Sequence, residues 1–234
     1  MTHAMNHYGY TMGKVIDLKV EQKKTLETPV MKANLILKSM YLMMDILYGF
    51  KRTLPKFMII EVLARYPYWA WENGGYKIVT KSHTRSRWVK RVESDMALYL
   101  IDLGRKSQDN EQWHLMLIQD IMKQKGLHLG WFKKVFLPRI MAGNYYYLTR
   151  IMWWMNPAWS FRMNAAFESH AEHEYMKLVL EHPEWENEPV DSEYFEFYPK
   201  QKSMADLFRR IGLDERDHMW HSLEGEDRWK GTRV

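Results

Sequence analysis

A chain of 234 residues, 46% hydrophobic and 27% charged, can bury one helical core and is neither a disordered tail nor a bundle of spanning helices. It has no cysteine, which excludes disulfides, thiolate metal sites and cysteine nucleophiles, so a metal would need His and carboxylate, a donor set that favours iron or manganese. The net charge of +5 suits nucleic acid and anionic lipid about equally, and the 18 Met, 11 Trp and 14 Tyr suit either an aromatic core or a membrane–water interface.

Residues 1–30 are polar and read as an N-terminal arm suited to packing on a partner subunit. Met1–Lys14 lacks the apolar run of a signal peptide and carries no clear transit peptide, which leans toward a prokaryotic or phage-encoded chain. Residues 31–224 read as one domain and 225–234 as a C-terminal tail.

Met31–Phe50 is strongly apolar, but Lys32, Lys38 and Asp45 interrupt it. Pro55 opens the next helix, expected to stop after Glu72 at Asn73-Gly74-Gly75. A long helix is expected from Ser86 to Lys125, ended by Gly126, with Gly104 a place where it can bend. Trp131–Trp159 is the second greasy segment, with Lys133, Lys134 and Arg139 at its start and Arg150 in its middle. Neither greasy segment has the roughly 20 uninterrupted apolar residues of a spanning helix. Both read as interfacial helices on one leaflet, with a buried core helix as the alternative for the first. Asn156-Pro157 caps and starts a helix that reaches Glu181. Pro183, Pro189 and Pro199 mark a loop, and Ser203 with Asp206 starts the last helix, expected to end about Glu224. No alternating strand pattern and no repeat of fixed period is present.

Two Glu-x-x-His motifs carry the chemistry: Glu111-Gln112-Trp113-His114 and Glu215-Arg216-Asp217-His218. On a helix, residues at i and i+3 share a face, so a carboxylate and an imidazole point at one spot. Either motif alone is weak, because this composition yields roughly one acidic-x-x-His by chance. Their order is stronger. Glu61 lies on the helix before the first motif and Glu168 on the helix before the second, the arrangement of ferritin-like di-iron bundles. Glu61 stands among Phe57, Met58 and Ile60, and Glu168 follows Ala165, Ala166 and Phe167. A carboxylate on an apolar face is costly unless paired or metal-bound, and Arg65 at i+4 is the alternative partner for Glu61. Tyr175, at i+7 from Glu168, shares its face and is either a redox tyrosine or a core tyrosine.

At these residues the chain resembles the alternative oxidase family, most closely its plastid terminal oxidase branch. Glu61-Val-Leu-Ala-Arg-Tyr-Pro-Tyr-Trp-Ala-Trp71, Asn110-Glu111-Gln112-Trp113-His114-Leu115, Glu168-Ser-His-Ala-Glu-His-Glu-Tyr175 and Asp214-Glu215-Arg216-Asp217-His218 are similar to that branch's four motifs, in order, over about residues 35–224. The resemblance implies an all-α fold, a ferritin-like four-helix bundle holding a di-iron site, with two additional interfacial membrane-binding helices. It implies two iron ions on Glu61, Glu111, His114, Glu168, Glu215 and His218, a redox role for Tyr175, and Asn110 and Asp214 orienting the ligands by hydrogen bonds. The implied partners are plastoquinol or ubiquinol, O2, the lipid of one leaflet and a second copy of the chain, with no nucleic acid. The chain departs from the family pattern at Lys56, where an arginine is usual, and at Glu174, where the branch has threonine; Ser169-His170 stands where the mitochondrial branch has a run of glutamates. Lys56, Ile60 and His170 are the candidate quinol contacts. The expected activity is reduction of O2 to water by two quinols in a monotopic membrane protein, without proton pumping. A di-iron monooxygenase acting on a lipid or quinone ring would use the same ligands, and a basic non-enzymatic binder would need none of them.

Overall fold

The computed structural model describes residues 10–81 and 88–231. Among them it is all helical, with α1 (Leu18–Glu27), α2 (Leu35–Tyr48), α3 (Leu54–Val79), α4 (Arg91–Gln124), α5 (Leu137–Met155), α6 (Pro157–Glu181) and α7 (Met204–Gly231). A π-helical turn, Phe132–Phe136, leads into α5, and 3-10 turns at Pro183–Glu186 and Glu193–Glu196 interrupt the loop before α7. Helices α3, α4, α6 and α7 form the bundle, with α3 along α4, α6 along α7, and α4 also meeting α7. Helix α5 packs on α3 and α6, and α2 packs on α3.

Local chemistry sets most helix ends. Asn156 accepts the Ala158 N–H at 3.2 Å, and Ser203 Oγ accepts the Asp206 N–H at 3.2 Å, satisfying first-turn donors. Gly126, at φ +64°, ends α4 in the left-handed region. The start expected at Ser86 lies outside the described residues.

Helix α3 does not stop at Asn73-Gly74-Gly75; it continues to Val79. Its glycines serve close helix contact instead. A Cβ on Gly75 would lie 2.7 Å from the Ala97 carbonyl, and one on Gly104 would lie 2.8 Å from the Tyr68 carbonyl. Gly104 is thus the point where α4 presses on α3. The last helix also outruns its expected end: Gly225 is buried against Phe161, so residues 225–231 belong to α7.

The polar N-terminal segment lies on its own bundle. Gln22 Nε2 donates to Met176 O at 2.8 Å, Thr25 donates to Glu172 at 2.6 Å, and Thr11 N–H donates to Asp217 at 2.6 Å.

The aromatic excess divides between two uses. Trp71, Tyr68, Tyr145 and Tyr175 are fully buried in the bundle, whereas Trp131, Tyr147, Trp154 and Trp159 are exposed on or beside α5. Exposed Ile140, Tyr147, Ile151 and Trp154 form one stripe of α5, and Leu35, Leu42 and Ile46 form a similar stripe of α2. Among the described residues, no helix is long and apolar enough to cross a membrane.

Candidate metal centre

Each bundle helix delivers its expected side chain to one point: Glu61 from α3, Glu111 and His114 from α4, Glu168 from α6, Glu215 and His218 from α7. All six are 0–1% exposed. They form two overlapping groups, Glu61–Glu111–His114–Glu215 and Glu111–Glu168–Glu215–His218, each with ligand atoms within 4.8 Å of one another. Glu111 and Glu215 belong to both, so each would be shared if the two groups held two ions.

His114 Nδ1 stands 3.3 Å from Glu61 Oε2 and 3.2 Å from Glu215 Oε1, and His218 Nδ1 stands 2.7 Å from Glu111 Oε1. Close as these atoms are, none is in hydrogen-bonding geometry. Glu61 Oε2, Glu168 Oε2, both oxygens of Glu111 and Glu215, and both Nδ1 atoms are buried without a hydrogen-bond partner. Leaving so many acceptors unsatisfied in a dry core is costly, and a metal pair removes the cost. Four carboxylates and two imidazoles, without sulfur, suit two iron or manganese ions.

The outward atoms of the cage are satisfied. Tyr175 donates to Glu61 Oε1. Tyr68 and Asn164 donate to Glu168 Oε1 at 2.8 and 3.0 Å. His114 Nε2 meets Asp214 Oδ2 at 3.2 Å, so its proton sits there and Nδ1 keeps its lone pair for the cage. Asp214 is itself fixed by Tyr198, 2.6 Å away, and by Arg210. Arg65 is not a partner of Glu61, and its Nε is buried without one. Asn110 has no tie to the six residues, and its Oδ1 is buried without a partner.

Electrostatics follow from burial and crowding. Burial pushes Glu61 and Glu168 well above the carboxylate range, and the neighbouring glutamates add to it. Burial opposes charge on His114 and His218 as well, but the surrounding carboxylates outweigh it and push both imidazoles well above the ordinary value. Burial and the same carboxylates push the Tyr68 and Tyr175 phenols far up, so both remain donors.

Beside the cage, between α2, α3, α5 and α6, lies a cavity of about 600 Å³. Lys56, Ile60 and His170 all line it. Its mouth includes the exposed side chains of Ile36, Met43, Phe50 and Ile140. Its inner wall includes Phe57, whose ring lies 4.5 Å from that of Tyr175. His170 stacks on Tyr41 at 4.0 Å, and burial holds its imidazole below the ordinary value. Lys56 pairs with Asp45 and donates to Gly49 O at 3.0 Å. Arg52 donates to Glu174 at 3.1 Å and also pairs with Glu181.

Sequence reasoning missed Tyr68, Asn164, Tyr198 and Arg52. Two signals were present: Tyr68 is at i+7 from Glu61, and Asn164 is four residues before Glu168. Tyr198 sits in the proline-marked loop, where no periodicity points inward.

The alternative oxidase family model matches residues 10–224. Ubiquinol oxidase 4, chloroplastic/chromoplastic, of Arabidopsis thaliana is 28% identical over 197 residues, covering 75% of this chain and 51% of that protein. The chain therefore spans about half the length of this curated relative. The relative's name gives no support to a prokaryotic or phage source. No solved structure matches the chain. With the family model spanning nearly all of the bundle and its six converging side chains, the chain belongs to the alternative oxidase family.

Proposed function

We propose that this chain is a membrane-bound quinol oxidase that reduces O2 to water with two quinols. The observation that carries this reading is the adjacency of the buried six-residue cage to a cavity that opens among exposed apolar side chains. A quinol is apolar along its tail and polar at its head, and the cavity offers both apolar side chains and the polar Lys56 and His170. Two iron ions held by Glu61, Glu111, His114, Glu168, Glu215 and His218 would supply paired one-electron redox chemistry. The di-iron oxidase domain comprises residues 31–224, with the N-terminal arm as a buttress and the last turns of α7 packed on the bundle through Gly225.

The protein's own groups divide the remaining work. Neutral His170 accepts a hydrogen bond from a quinol hydroxyl, Ile60 packs on the ring, and Lys56 supplies positive charge at the head. Tyr175 holds its proton on Oη against Glu61 and, behind Phe57, lies between quinol and cage. Asp214 keeps His114 in the ligating tautomer. The stripes of α2 and α5 lie on one leaflet, so quinol oxidation and oxygen reduction share one side and no proton is pumped. The working unit is a homodimer, as the family resemblance implies.

The test is oxygen uptake driven by a short-chain quinol in membranes carrying the protein, with iron measured on purified protein. Glu111→Ala removes a shared ligand and is expected to abolish uptake and lower bound iron. Full activity of that variant refutes the cage as the reaction centre, and an oxygenated organic product in place of water identifies a hydroxylase.

A further inference from the structure

A second cleft, of about 530 Å³, lies between the C-terminal ends of α3 and α5 and is closed by the end of α7. It shares no lining residue with the cavity beside the cage. Lys77, Lys81 and Arg150 line it with Trp153, Trp154 and Trp229, and no acidic residue does. We infer that it binds the phosphate headgroup of an anionic membrane lipid.

Arg150 carries the argument. It is partly buried on a helix whose other charged residue, Arg139, lies in the first turn, and its Nη1 donates to the Ala70 carbonyl at 3.1 Å. It lies across Gly74, where a Cβ would come within 3.0 Å of the guanidinium. Among the described residues no carboxylate pairs with Arg150 or with Lys77, and the residues outside that range contain no Asp or Glu. Lys81, by contrast, meets Glu93 at 3.2 Å. One backbone carbonyl satisfies a fraction of the five guanidinium donors, and none of the others is buried without a partner, so they are open to a ligand. Lys77 also complements the negative end of α3, a role that needs no ligand. Arg150 sits five residues before the end of α5, so that explanation does not reach it. A phosphate matches the guanidinium fork, with Lys77 as second cation.

The cleft wall points to a lipid as the source of the phosphate. Trp154, 84% exposed, belongs both to the cleft and to the α5 stripe of Ile140, Tyr147 and Ile151. A ligand with its phosphate beside Arg150 therefore has an apolar track for its chains, and indoles favour this depth of the interface. The inference rests on the reading that this stripe lies on a leaflet.

The test is a titration of the purified, metal-loaded full chain with dihexanoyl phosphatidylglycerol below its micelle concentration, followed by tryptophan fluorescence. Saturable binding is expected. K77Q/R150Q should weaken it about thirtyfold, and K77E, at an exposed position that leaves the Arg150–Ala70 bond intact, should weaken it at least about fivefold. K133Q/K134Q, at the other end of α5, should leave it unchanged. Equal loss in that control, equally tight dihexanoyl phosphatidylcholine, or equally tight inorganic phosphate overturns the inference. Binding of the wild type to phosphatidylcholine vesicles judges the leaflet reading separately. If it fails while the titration succeeds, the leaflet reading falls and the headgroup site stands.

Discussion

Tyr68 donates its hydroxyl to Glu168 across the bundle, over 2.8 Å. Tyr175 makes the reciprocal bond, to Glu61. Tyr68 follows Glu61 by seven residues on α3, and Tyr175 follows Glu168 by seven on α6. Each of these helices thus carries one carboxylate of the cage and, two turns on, the donor that steadies the other helix's carboxylate. The crossed pair fixes the register of α3 against α6, because a slip of one residue would swing both tyrosines off the shared face.

The two tyrosines are expected to separate on substitution. Tyr68→Phe removes one of two donors to Glu168 and leaves Asn164 in place. It should lower metal affinity about tenfold, with turnover per bound iron retained. Tyr175→Phe removes the phenol nearest Phe57 and the cavity. It should lower turnover at least about a hundredfold while bound iron stays near wild type. Iron per chain, measured beside oxygen uptake, checks both; the reversed pattern would assign the redox role to Tyr68.

Binding of metal is expected to release protons. In the metal-free cage burial pushes Glu61 and Glu168 up, and the carboxylates push His114 and His218 up, so all four hold a proton more tightly than in the unfolded chain. Ligation needs the bare Nδ1 lone pairs and ionised carboxylates. All four groups have folded values raised above their unfolded ones. Their favourable contribution to the metal-free fold is therefore present at low pH and lost as pH rises through the raised values. Metal affinity moves the other way and strengthens with pH. A weakly buffered titration with Fe(II) under anaerobic conditions should acidify the solution. Proton-neutral binding would contradict this account.

The legible parts of the protein were those fixed by local chemistry. Asn156 and Ser203 cap helices with atoms two or three residues away, and Gly126 ends α4 through its own backbone. The six cage residues were legible because helical spacing places each Glu-x-x-His on one face and a lone carboxylate on an apolar face calls for a partner. Gly74 and Gly75 misled for the same reason. As sequence they resemble a stop signal, whereas their function lies in contacts with α4 and α5 that no local pattern encodes. Tyr198 and Arg52 were invisible because each reaches its partner from a loop, and the polar arm gave no sign of its hydrogen bonds to α6 and α7.

Gly75→Ala tests the close contact. The added methyl would sit 2.7 Å from the Ala97 carbonyl and 2.8 Å from Ile101 Cγ1, so α3 and α4 must separate or shift. Overpacking of this kind costs about 1–3 kcal/mol, which outweighs the roughly 1 kcal/mol that alanine gains over glycine in a helix. Chemical denaturation should show net destabilisation. At Gly143 nothing lies within 4 Å of an added Cβ, so the same substitution there should stabilise or be neutral. Equal effects at the two positions would mean that Gly75 has no packing role.

His170→Ala tests the cavity as the quinol site. His170 and Glu61 lie on different helices, and among the described residues His170 takes no part in either ligand group of the cage. Removing the imidazole also unstacks Tyr41, 4.0 Å away, and leaves the head of the cavity without the neutral acceptor that burial maintains. Losing one hydrogen bond and one ring contact is expected to raise KM for a short-chain quinol about tenfold, with kcat and bound iron within about twofold of wild type. His170→Gln, which restores a side-chain carbonyl acceptor, should recover part of the loss. A drop in kcat at unchanged KM would place His170 in the transfer step, and an unchanged KM with unchanged kcat would move the quinol out of this cavity.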